Sequence, residues 1–213
     1  MRVKEKLPYL LLLLLLPLLG IIYTVLNEAK RKATKIDLPI DNEIPFIEVF
    51  VVPYIIWYLF VFGYLVYFCF KDTGVYVKTL ITIVIGEFIC FLIYFFFQTT
   101  VPRPTIEGNG WSVWLVKYIY AHDQPVNCFP SIHVLTTYAI MLASFQIKKK
   151  HRLNTGFIHV MGSLIILSTL FIKQHVILDM VASMFLVAFI YGTVFEVYKV
   201  HVAAKRKGNV QWV

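Results

Sequence analysis

An all-α bundle of six membrane-spanning helices is the fold this sequence predicts, and three observations predict it. The 213-residue chain is 59% hydrophobic with only 15% charged residues, more apolar surface than a soluble domain of that length can hide. Its apolar residues fall into runs that are each about long enough to cross a bilayer. The basic residues behind the formal net charge of +8 sit in short clusters between those runs. That pattern fits membrane anchoring and argues against a nucleic-acid surface.

The first run, 7–26, follows Arg2, Lys4 and Lys6. Its leucine block also suits a signal peptide, but it is long for one. No small-x-small cleavage site precedes the charged Glu28 to Lys35 stretch, so an anchor is the preferred reading. Further runs cover 46–70, 76–98, 131–147, 155–172 and 176–198, each adequate once tilt is allowed for. Trp57, Tyr58, Tyr64, Tyr67, Tyr94, Trp111 and Trp114 lie mostly near run ends, as interfacial belts or as core packing. The chain shows no repeat or linker and reads as one membrane domain over residues 1–213.

Six spans put both termini on one side. The amino terminus, Lys71 and Lys78, the Lys148 to Arg152 cluster and the Lys199 to Lys207 tail share it, which makes it the cytoplasm and the membrane the plasma membrane. The Lys148 to Arg152 cluster suits anionic lipid. Lys30, Arg31, Lys32 and Lys35 run against this orientation, partly balanced by Glu28, Asp37, Asp41 and Glu43. The outer connections are then 28–45, 99–130 and 173–175. Cys69, Cys90 and Cys128 form neither a CxxC site nor a disulfide framework, so no redox role is assigned.

Three segments on the outer side collect the residues suited to an anion: Val101-Pro102-Arg103-Pro104, then Cys128-Phe129-Pro130-Ser131-Ile132-His133, then Ser168-Thr169 with Lys173-Gln174-His175 and Asp179. His175 and Asp179 are four apart, so on a helix they share a face, and the carboxylate accepts a hydrogen bond from the imidazole. That contact fixes the tautomer and frees the other ring nitrogen to attack; a structural helix-capping pair is the alternative. Pro130 and Ser131 suit a helix start, whose free backbone N–H groups attract an anion toward His133. Flanking prolines stiffen Arg103, which either offers its guanidinium fork to phosphate or snorkels to a headgroup.

In order and spacing these segments resemble the type 2 phosphatidic acid phosphatase superfamily. There an Arg-Pro pair, a Pro-Ser-x-His segment and a histidine followed four residues later by aspartate build one site. Here these are Arg103-Pro104, Pro130-Ser131-Ile132-His133, and His175 with Asp179. The Cys-Phe-Pro-Ser-Ile-His and Lys-Gln-His wording looks closer to the inositol-phosphorylceramide and sphingomyelin synthase branch than to the branch with glycine before the first histidine. Two family cations are missing: Phe96 stands where the first motif has lysine, and Thr169 where the third has arginine. Lys173 is a candidate replacement. The resemblance covers residues 96–180.

The resemblance implies that His175 attacks phosphorus with Asp179 orienting it, and that His133 protonates the departing lipid oxygen. Arg103, Lys173, Ser131 and backbone amides would neutralise the phosphoryl oxygens, with Pro104, Ile132 and Gln174 as neighbours. No carboxylate cluster suited to holding a metal falls on the outer side, so metal independence is expected, and no cofactor is assigned. Glu87, mid-span, is either functional or a neutral packing residue; Glu48 meets a headgroup or caps its helix. His122 and Asp123 read as solvent-exposed loop residues, and His151, His159 and His201 receive no catalytic part.

The expectation is a hydrolase releasing phosphate from a lipid of the phosphatidic acid, phosphatidylglycerol phosphate or polyprenyl pyrophosphate type. A transferase moving a phospho-headgroup between lipids uses the same histidines. A flippase is the reading from another class, without support from inverted repeats. Partners are the bilayer and the lipid phosphate; the sequence does not indicate an oligomeric state.

Overall fold

The computed structural model describes residues 3–29, 31–148 and 151–208, with side chains described from residue 4 as far as residue 196. Arg2, Lys30, Lys149, Lys150 and the side chains of His201 and the Lys199 to Lys207 tail lie outside the described residues.

The chain is a polytopic helical bundle. Helices α1 (Val3–Leu11) and α2 (Leu15–Glu28) are joined by a 3₁₀ turn at Leu12–Leu14. That tightening precedes Pro17, which lacks an N–H and crowds the carbonyl four residues back. Then come α3 (Val51–Lys71), α4 (Thr73–Phe96), α5 (Trp111–His122), α6 (Ile132–Ser144), α7 (Arg152–Phe171) and α8 (Ile177–Gly208). The sharp break between α3 and α4 falls at Asp72, whose carboxylate accepts from the N–H groups of Gly74 and Val75, both at 3.1 Å.

Among the described residues, five stretches are long and apolar enough to cross a bilayer: Lys4–Glu28, Glu48–Lys71, Thr73–Phe96, Arg152–Phe171 and Ile177–Glu196. They match five of the six expected runs. The sixth is shorter than expected: α6 has 13 residues, about 20 Å. It packs against α3, α4, α7 and α8, so its surroundings are protein rather than lipid, and it need not match the bilayer's thickness. Two glycines allow this central position. A Cβ on Gly86 of α4 would meet the Leu135 side chain at 2.9 Å, and one on Gly162 of α7 would meet Met141 Sδ at 2.7 Å.

The helices alternate in direction, which gathers three connections at one end: residues 29–50, 97–131 and 172–176. Backbone contacts tie them together. Strands β1 (Thr34–Lys35) and β2 (Thr99–Thr100) pair in parallel, Thr100 bridges Val126, and Ile47 N–H donates to Phe171 O at 3.0 Å. The 99–130 connection contains helix α5 and β2, whereas the sequence reads as loop. Helix α5 packs on α3 and the Glu48–Phe50 turn, a tertiary contact its own pattern does not announce.

Candidate active site

The loop bearing Pro130 and Ser131 is fixed from beneath. Thr99, fully buried, accepts at Oγ1 from the N–H groups of Cys128 (3.1 Å) and Phe129 (3.0 Å). Tyr94 O–H donates to Pro130 O. Asn127 turns the chain with φ 57°, a left-handed conformation that asparagine tolerates. Ser131 then caps α6, its Oγ accepting from Val134 N–H at 3.4 Å. That hydroxyl is fully buried and lines neither cavity of the site, so the structure does not bring its side chain to an anion. His133 lies two residues on, in the first turn of α6, its ring packed against Tyr54 (4.5 Å) and Trp57 (4.1 Å).

His175 lies just before α8 rather than within it. Its Nδ1 is 3.0 Å from Cys128 O and 3.1 Å from Asp179 Oδ2. A carbonyl only accepts, so Nδ1 carries the proton. In the neutral ring the Nε2 lone pair is free, with no protein partner among the described residues. Asp179 is fully buried and also accepts from Val176 N–H at 3.1 Å. The two histidine rings lie 5.9 Å apart, at the same end of the bundle.

Lys173 reverses the chain between α7 and α8 with φ 55°, a conformation a lysine holds only when its surroundings fix it. Here the fixing group is its own ammonium, which donates to Asp41 O at 2.9 Å and to Ile44 O. Burial pushes its pKa below the ordinary lysine value, partly opposed by Asp41. Asp41 in turn accepts from Leu38 N–H (2.8 Å) and from Ile177 N–H (2.9 Å) at the start of α8. The sequence marks Asp41 only as a counter-charge; its capping of a helix 136 residues away carries no local signal.

Arg103 stacks on the Tyr120 ring at 4.3 Å. It donates to Tyr120 O (3.3 Å), Asp123 O (2.7 Å) and Gln174 Oε1. Tyr120, with burial raising its hydroxyl pKa to about 12, stays protonated and donates to Ile172 O at 2.6 Å. Gln174 is buried and holds Arg103 rather than lining a cavity.

Asp123 corrects the sequence expectation of an exposed loop residue. It follows α5, is half-buried, and accepts from Tyr23 O–H (2.8 Å), Asn27 Nδ2 (3.4 Å) and Tyr54 O–H (3.2 Å). It thereby joins α2, α3 and α5 beside His133. His122 is exposed, on the end of α5 rather than in a loop. Glu48 opens a 3₁₀ turn before α3 and lines neither cavity. Phe96 and Thr169, at the two missing cation positions, contribute no charge: Phe96 is 80% exposed, and Thr169 is buried, its carbonyl accepting from Gln174 and His175 N–H.

Two cavities meet at His175. One of about 310 Å³ is lined by Asp41, Arg103, Pro104 and Lys173. The other, about 970 Å³ and largely apolar, runs into the bundle past His133, Ile132, Tyr54 and Trp57 to Glu87. Among the described residues no three His, Cys, Asp or Glu side chains group to hold a metal.

This architecture defines a multi-pass membrane protein with a two-histidine, one-arginine site at one end of its bundle. The family model of the PAP2 superfamily matches residues 40–193, and the chain belongs to that superfamily, a membership that points to a lipid enzyme of phosphatase or phosphotransferase type. No curated protein matches the chain, and no solved structure does.

Proposed function

We propose that the protein hydrolyses a lipid phosphate through a phosphohistidine at the extracytoplasmic face of the plasma membrane, with both termini in the cytoplasm. The observation that carries this is the His175 ring, its Nδ1 occupied by Cys128 O and Asp179 and its Nε2 free, 5.9 Å from the His133 ring where a small basic cavity meets a large apolar one. His175 Nε2 attacks phosphorus as the bond to the lipid oxygen breaks. His133 gives that oxygen its proton, then takes one from the water that releases phosphate. Asp179 stabilises the positive charge gained by the His175 ring. Arg103 and Lys173 line the small cavity where phosphoryl oxygens would sit, supplying positive charge that other enzymes draw from a metal.

Purified protein given one lipid phosphate and water should release inorganic phosphate in EDTA and, when quenched, carry an acid-labile phosphate lost in His175→Ala. A requirement for Mg²⁺, or no release without an acceptor lipid, refutes hydrolysis as proposed.

A further inference from the structure

The large cavity holds a polar group that the proposed chemistry does not use. Glu87 sits on α4 two turns before Tyr94, whose hydroxyl meets Pro130, and its neighbour Gly86 faces Leu135, two residues past His133 on α6, so Glu87 lies just deeper in the bundle than the histidines. It is 7% exposed and lines the apolar cavity. Two polar side chains near it are satisfied by protein: Trp57 Nε1 donates to Thr136 Oγ1 at 2.8 Å, and Thr136 donates to Ile132 O at 2.8 Å. Among the described residues no hydrogen bond is made to the Glu87 carboxyl, although the Cys90 thiol, one turn on along α4, lies within electrostatic range.

A hydrocarbon chain filling the cavity would leave that carboxyl unpaired, which is costly away from water. Whether ionised or protonated, it retains an oxygen that accepts. We infer that Glu87 is a specificity-determining residue, selecting lipid phosphates that carry a hydroxyl or amide N–H in the upper part of their hydrophobic portion. This rests on the lipid-phosphate reading and narrows its substrate class.

Kinetics on two chain-matched substrates test it: ceramide 1-phosphate, which carries both donors, and a dialkyl ether phosphatidic acid, which carries none. The expected result is a kcat/KM preference of about tenfold for the first in wild type. Glu87→Leu should reduce that preference to within about twofold of unity through KM, leaving turnover of the ether lipid intact, and Glu87→Gln should retain it. No preference in wild type, or one that survives in Glu87→Leu, overturns the inference. Binding of the two corresponding lipid alcohols, followed by the fluorescence of Trp57 and Trp114 at the cavity, makes the comparison without turnover. A protein inactive on every lipid phosphate therefore refutes hydrolysis alone. Equal binding of the two alcohols overturns the role of Glu87.

Discussion

Replacing Asp123 with alanine removes the acceptor of three side-chain donors from two other helices: Tyr23 at 2.8 Å, Tyr54 at 3.2 Å and Asn27 at 3.4 Å. A hydrogen bond to a charged group contributes roughly 1.5–3 kcal/mol. The two tyrosine bonds are therefore worth about 3–6 kcal/mol before solvent is counted. Because Asp123 is only half-buried, water replaces part of what is lost, and the net cost should be near 2–3 kcal/mol. The loss also reaches the chemistry, since Tyr54 packs on the His133 ring at 4.5 Å. Asp123 is thus a positioning residue. Asp123→Ala should lower thermal stability in detergent, and kcat on a lipid phosphate should fall about tenfold or more. Tyr54→Phe keeps the ring but drops the hydroxyl, so Asp123→Asn should cost less in that background, by about 1 kcal/mol in a double-mutant cycle. Additive effects, or Asp123→Ala within twofold of wild type, refute the link from Asp123 through Tyr54 to His133.

Asp179→Asn should lower turnover by about 10–100-fold, short of the roughly 10⁴-fold loss seen where a carboxylate alone sets the tautomer, because Cys128 O keeps the proton on Nδ1; single-turnover kinetics measure this. Thr99→Val leaves the N–H groups of Cys128 and Phe129 without their acceptor. It should cost about 1–3 kcal/mol per donor and depress activity, with Thr99→Ser restoring both. Gly162→Leu drives a side chain into Met141 and should destabilise the bundle by about 1–3 kcal/mol or more, seen as a lower melting temperature by tryptophan fluorescence.

The composition and the apolar runs determined that this chain is helical and embedded in membrane, because a bilayer admits only backbone that satisfies itself. Five runs are long enough as helices to span, with ends within a few residues of expectation. The candidate site was legible where chemistry is local: Arg103-Pro104, His133 and His175 with Asp179 are each readable within a few residues, and alternating spans place all three at one end. What depended on distant partners was not legible. The proton on His175 is set by a carbonyl 47 residues away, and the start of α8 is capped by Asp41 from the first connection. Helix α5 and the bridging role of Asp123 arise from contacts with α2 and α3. A hydrogen bond between remote segments leaves no periodicity in the chain, so only the tertiary structure decided which polar residues support the site and which cavity receives Glu87.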